Sequence, residues 1–254
     1  MRLLALLAAA LLLTLCARSA SPLTRSFPDP DPVFRAQQQQ YPRVRDAYAT
    51  HETELHALLR RHGIAAGRLE LYSRAFKIGR RLEAWGREQG TGEFVLLRTY
   101  RLAGTSGTLG PKRQSGDGQI PEGFYHINRF NPASTYHLSL GLDYPNAADL
   151  RQAAPNPGGD IFIHGSDVTV GCLPITDAGI RELYVLAVEA RSTGQTDIAV
   201  HIFPFEMTAA NLARRATSPH HMFWLGLLPG YQYFEETHQL PIMRVDAGGA
   251  YAVE

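Results

Sequence analysis

His164 and Cys172 stand eight residues apart, and Gly165 and Gly171 lie inside that interval. A thiol attacks a carbonyl as thiolate, and an imidazole beside it can take its proton and later return it to a leaving amine. Gly171 permits a tight turn, which would aim the Gly171 and Cys172 amides at a developing oxyanion. Two plainer readings stand beside this one. Cys172 also fits a small buried hydrophobe, with His164 a core histidine. One cysteine and one nearby histidine do not complete a zinc tetrahedron, and His220 and His221 are too distant in sequence to add to it, so no metal is expected. Nothing in the sequence calls for a cofactor.

These residues need elements that bring them to a rim. The apolar run Asp160 to Ile163 reads as a buried strand that delivers His164 to its end. Thr176 then reads as the N-cap of a helix through Ile180, Leu183, Tyr184, Leu186 and Ala187, ending near Gly194. Leu69 to Phe76, Arg81 to Trp85, Glu93 to Leu102, Phe124 to Asn128, Tyr136 to Leu140 and Ile198 to Phe203 are strand-like. Val44, Ala47, Tyr48, Leu55, Leu58 and Leu59 recur at helical spacing before Gly63. From about Met207 the chain is helix-rich and aromatic, a texture that suits packing against the main domain.

The chain has 254 residues, 44% of them hydrophobic, with 25 basic and 24 acidic side chains. That supports a globular core and excludes disorder and disulfide-rich miniproteins, while the near-neutral balance gives no argument for nucleic acid. Arg2, the Leu3 to Leu15 apolar run and Ala17-Arg18-Ser19 read as a cleavable signal peptide, too short to span a bilayer; an uncleaved signal anchor in the inner membrane is the alternative. Cleavage removes Arg2, Arg18 and Cys16 and leaves Cys172 the one thiol, with 23 basic against 24 acidic residues. A lone cysteine in an exported chain has no disulfide partner within that chain, so it is either buried and inert or reactive. The expected organisation is a signal peptide over 1–19, a proline-rich linker over 20–43, an N-terminal helix over 44–67, a catalytic domain over 68–207 and a packed C-terminal extension over 208–254.

Several stretches carry a family resemblance. They are Thr108 to Gly118, Ile120-Pro121-Glu122-Gly123-Phe124-Tyr125, Tyr144-Pro145-Asn146, His164 to Cys172, Phe203-Pro204-Phe205 with Met207, and Pro229-Gly230-Tyr231 with Tyr233-Phe234. Together they resemble the YkuD-type L,D-transpeptidase catalytic domain, and within it the YafK-like branch. The resemblance implies a mostly-β YkuD-like sandwich with one principal internal helix, flanked by N- and C-terminal helical segments. It implies a periplasmic or exported cysteine enzyme, with peptidoglycan as partner, and no stable membrane span after signal cleavage. Cys172 would attack the carbonyl at the L-centre of meso-diaminopimelate with His164 as base, the Gly165 carbonyl would hold the imidazole tautomer, and amides of the Gly171-Cys172 turn would form the oxyanion hole.

The signature departs from the common pattern, since Thr169 and Val170 replace Ser and His and Pro174 replaces an arginine. The YafK-like branch shares this shortened motif and is associated with cutting the amide between diaminopimelate and the lysine of an outer-membrane lipoprotein. Hydrolysis is therefore expected, with true transpeptidation and a non-catalytic peptidoglycan-binding role as alternatives. Lys112, Arg113 and Asp117 on the Gly-rich loop, His126 on a strand and Tyr144 are further candidates for substrate contact.

Overall fold

The computed structural model describes residues 28–254, so the signal-peptide expectation for 1–19 lies outside the described residues. Helix α1 spans Pro32–Gln38 and α2 spans Pro42–Arg61. An antiparallel run comes next, β1 (Leu69–Phe76), β2 (Arg81–Glu88) and β3 (Val95–Arg101). After it come β4 (Gly123–Asn131), β5 (Ser139–Leu142), α3 (Ala147–Gln152), β6 (Phe162–His164), β7 (Leu173–Pro174), α4 (Thr176–Ser192) and β8 (Ile198–Phe203). The chain closes with α5 (Ala209–Ala213), α6 (His221–Thr237) and a hairpin of β9 (Met243–Val245) and β10 (Tyr251–Val253).

One eight-stranded mixed sheet in the order β3-β2-β1-β8-β4-β5-β6-β7 organises the molecule. Strands β1 and β8 pair in parallel, as do β6 and β7, and the other neighbours are antiparallel. All of β1 is buried because both sheet faces are covered. Its side chains alternate: Leu69, Leu71 and Ala75 join the core under α2 and α4, while Tyr72 and Phe76 face the aromatic layer that includes Tyr231 and Phe234 of α6. The principal internal helix α4 and the flanking helical segments accord with the expected architecture.

The described part of the proline-rich stretch is not a free linker. Pro32 and Pro42 each open a helix, where a missing N–H costs nothing because the first helical amides have no intrahelical acceptor. Asp31 Oδ1 caps α1 by accepting the Phe34 N–H at 3.1 Å, and the Asp31 N–H donates to the Ser192 carbonyl at 2.8 Å. Phe34 packs edge-on against Phe130, and Tyr184 Oη donates to Gln38 Oε1. Helix α2 buries Val44, Ala47, Tyr48, Leu55, Leu58 and Leu59, the periodic set, but begins at Pro42 and ends at Arg61 rather than filling 44–67. The strand expected over Tyr136 to Leu140 is displaced: β5 begins at Ser139, which leaves Tyr136 and His137 in a loop. Thr176 is the first residue of α4 rather than its cap, though its Oγ1 accepts the Gly179 N–H at 3.2 Å.

Candidate active site

Strand β6 ends at His164, and Cys172 immediately precedes β7, its parallel neighbour. Ile163 pairs with Leu173 and His164 with Pro174, so the pairing carries Cys172 back alongside Phe162. Phe162 N–H donates to Cys172 Sγ at 3.4 Å, and the thiol approaches the Asp160 carbonyl at 3.6 Å. Cys172 and His164 line one cavity of about 260 Å³ with Asn131, Tyr136, Asp160 and Phe162 among its walls. The two residues thus share a cavity, in which the thiol's hydrogen-bond acceptor is the Asp160 carbonyl.

His164 is almost fully buried, and its Nδ1 lies 2.6 Å from the Gly165 carbonyl oxygen. A carbonyl only accepts, so Nδ1 carries the proton and Nε2 is left with its lone pair. The Tyr136 ring lies against the imidazole with centroids 4.7 Å apart. Gly165 is required by space: a Cβ there would stand 2.4 Å from Asp177 Oδ1 and 2.7 Å from the Tyr136 carbonyl oxygen. The Gly165 N–H donates to that same carbonyl at 3.0 Å.

The electrostatics favour a neutral resting pair, not the depressed thiol that an adjacent imidazole suggests. Burial pushes the Cys172 thiol up, the Phe162 N–H opposes this, the Asp160 charge adds to it and the Lys112 charge opposes it. Burial likewise lowers His164, against the Gly165 carbonyl. A neutral imidazole keeps a lone pair free to accept a proton, which is the state a general base requires.

The amides expected to form an oxyanion hole are already engaged. Gly171, at φ 91°, donates its N–H to Ser106 Oγ at 2.7 Å, and the Cys172 N–H donates to Thr169 Oγ1 at 2.9 Å. Thr169 Oγ1 in turn donates to the Cys172 carbonyl at 2.8 Å, which closes the turn on itself. The hydroxyls that hold the turn occupy the donors, so an incoming oxyanion has to displace them.

Strain gathers here. His137 (φ 72°), Asp160 (φ 54°), Ser166 (φ 63°) and Thr176 (φ 67°) are non-glycine residues in the left-handed region around the His164–Cys172 loop. Such backbone costs about 1 to 3 kcal/mol per residue and persists where the surroundings over-determine it.

The remaining candidates divide. Asp117 organises the Gly-rich loop, accepting from Lys112 Nζ at 2.6 Å and from the Arg113, Gln114 and Gln119 amides. Burial would raise its carboxyl, but these donors outweigh it and hold it at about 2. Arg113 is tied to Asp149 and Gln152, and Tyr144 Oη donates to the Pro157 carbonyl at 3.1 Å. None of Lys112, Arg113, Asp117 and Tyr144 lines the thiol cavity, although the Lys112 charge acts on the thiol. His126 pairs with Asp143 at 3.2 Å and faces other cavities, away from Cys172.

Sequence reasoning did not reach Tyr136, Asn131, Ser106 or Asp177 as site residues, and reached Thr169 only as a departure from the common signature. Ser106 is 65 residues from the amide it holds, and no local pattern announces it. Asp160 had a signal, since it ends the Gly158-Gly159 turn just before the strand that carries His164. No group of three or more His, Cys, Asp or Glu side chains suited to a metal occurs among the described residues.

Residues 79–200 match YkuD, the L,D-transpeptidase catalytic domain. A curated Escherichia coli K12 protein, named "Putative L,D-transpeptidase YafK", is 39% identical over 163 residues, which cover 63% of this chain and 65% of the relative. The match thus spans just under two thirds of that relative's length. Among solved structures, the helical cell shape determining protein Pgp2 of Campylobacter jejuni aligns with a TM-score of 0.43 and 16% identity, over 70% of this chain and 73% of that one. L,D-transpeptidase 1 of Mycobacterium tuberculosis aligns at 0.31 and 12%, over 53% and 62%.

Proposed function

We propose that this chain is an exported cysteine enzyme that hydrolyses the amide joining diaminopimelate of peptidoglycan stems to the lysine of an outer-membrane lipoprotein. The observation that carries this reading is the shared cavity of Cys172 and His164, with the imidazole proton fixed on Nδ1 by the Gly165 carbonyl. The likeness to a protein named a putative L,D-transpeptidase supports acyl-transfer chemistry, and the shortened His164 to Cys172 motif carries the choice of amide.

In the proposed reaction Cys172 Sγ attacks the carbonyl carbon at the L-centre of diaminopimelate while its proton passes to His164 Nε2. The tetrahedral intermediate collapses, the C–N bond breaks, and the lysine amine leaves with the proton that Nε2 returns. Water then attacks the thioester and gives its proton to Nε2. The C–S bond breaks to release the carboxylic acid, and the thiol is restored.

Transpeptidation is the second reading, favoured by the L,D-transpeptidase family model that residues 79–200 match. It uses the same thioester, resolved by an amine in place of water. Incubating sacculi, with and without attached lipoprotein and with a D-amino acid as acceptor, separates the two by mass spectrometry of the muropeptides. Cys172-dependent loss of the lysine-linked muropeptide supports the amidase. New cross-links or D-amino-acid exchange in its place make the protein a transpeptidase, and no Cys172-dependent change leaves the non-catalytic binding role.

A further inference from the structure

Arg129 lines the neighbouring cavity with His126, but its guanidinium contacts two walls of the thiol cavity, Phe162 and Asp160, through a specific arrangement of the sheet. It sits at a bulge of β4, where pairing with β5 shifts between Ile127 and Arg129. Its partner across the strand is Gly141, whose other partner is Phe162 of β6. A Cβ on Gly141 would stand 3.1 Å from both Arg129 Cβ and Phe162 Cε1, so the missing side chain is what lets arginine and ring meet. The guanidinium rests over the Phe162 ring, 4.9 Å from its centroid, and Phe162 is the residue whose N–H reaches Cys172 Sγ.

Its one ion-pair partner among the described residues is Asp160, at 3.0 Å, which also walls the cavity and approaches the thiol with its carbonyl. The pair is exposed, the arginine side chain at 53% and the aspartate at 80%. Exposed pairs of this kind contribute little to stability and exchange readily. A guanidinium presents a planar fork of donors suited to a carboxylate, and stacking on an aromatic ring keeps that fork oriented.

We propose that Arg129 is a specificity-determining residue that takes a carboxylate of the acyl donor beside Cys172, with Asp160 as the internal carboxylate that holds its place until substrate arrives. The inference rests on Cys172 as the reacting group, but its test needs no turnover, so failure of the amidase reading and failure of this one are distinguishable.

The test compares alkylation of Cys172 by iodoacetate, which carries a carboxylate, with alkylation by uncharged iodoacetamide. The ratio of the two rates cancels changes in thiol ionisation. Arg129→Gln is expected to lower the ratio about tenfold, the scale of one exposed charge-assisted contact. Arg129→Lys should fall between. Asp160→Asn tolerates the left-handed backbone of that position and should raise the ratio, and the double variant Arg129→Gln/Asp160→Asn should lose that gain. A ratio equal in wild type and Arg129→Gln, or a gain that survives in the double variant, would overturn the proposal. Should Arg129→Gln fail to fold, the Asp160→Asn and Arg129→Lys ratios decide it by the same signs.

Discussion

Asp177, in the first turn of α4, accepts the Ser166 N–H on Oδ1 at 2.8 Å and so ties that helix to the backbone just beyond His164. The same oxygen occupies the space above Gly165. The carbonyl that orients the imidazole is therefore fixed by its own bond to His164 and by packing against a helix terminus.

Gly165→Ala should consequently misplace the imidazole without unfolding the sheet. A displacement near 1 Å at a reacting centre costs about 100-fold in rate. Peptide turnover should fall by about that factor, with circular dichroism unchanged. Activity near that of wild type would show that the carbonyl of residue 165 does not position the base.

The resting charge state gives a pH signature. Burial raises Cys172 above the ordinary thiol value and lowers His164 below the ordinary imidazole value. Iodoacetamide labelling should therefore titrate above the free-cysteine range, with no inflection near neutrality. Turnover by general-base attack needs neutral His164, so its rising limb should lie below the free-histidine pKa of about 6.5. A labelling inflection near pH 6 would instead establish a thiolate–imidazolium pair.

Thr169 both accepts from and donates to Cys172. Thr169→Val keeps the shape and removes both bonds, leaving the Cys172 amide without its acceptor. The expected loss is about 1 to 3 kcal/mol of stability, read as a lower denaturant midpoint, and Thr169→Ser should recover most of it. Equal midpoints for Val and Thr would show that the turn does not depend on the hydroxyl.

Asp117 anchors its loop with a carboxyl held at about 2, below the unfolded value of about 3.9. A depressed carboxyl contributes stability above the unfolded pKa and loses it as pH falls through the folded one. Asp117→Asn should therefore be less stable than wild type at pH 7, and the gap should close between about pH 4 and pH 2. A gap independent of pH would place the effect in packing rather than charge.

The parts of this molecule that read directly from sequence are those with local causes. The period of Val44 to Leu59 arises from one helix face against one core, and the apolar run before His164 arises from burial in a covered sheet. Pro32 and Pro42 misled because proline breaks a helix interior but starts a helix equally well, and the choice between these roles lies in the residues C-terminal to it. The turn amides of Gly171 and Cys172 were legible as donors, but the acceptor of the Gly171 N–H was not, since Ser106 arrives from a loop 65 residues earlier. Asn131 reaches the cavity from the last position of β4, and Tyr136 through the loop between β4 and β5, whose path no periodicity specifies.

The most direct test of thioester chemistry at Cys172 is intact-mass spectrometry of the protein acid-quenched during turnover of a diaminopimelate–lysine stem peptide. The expected result is an adduct equal to the acyl part of the peptide, on Cys172, absent from Cys172→Ala and accumulating more slowly in His164→Gln. Turnover that continues undiminished in Cys172→Ala, with no adduct in the wild type, would contradict it.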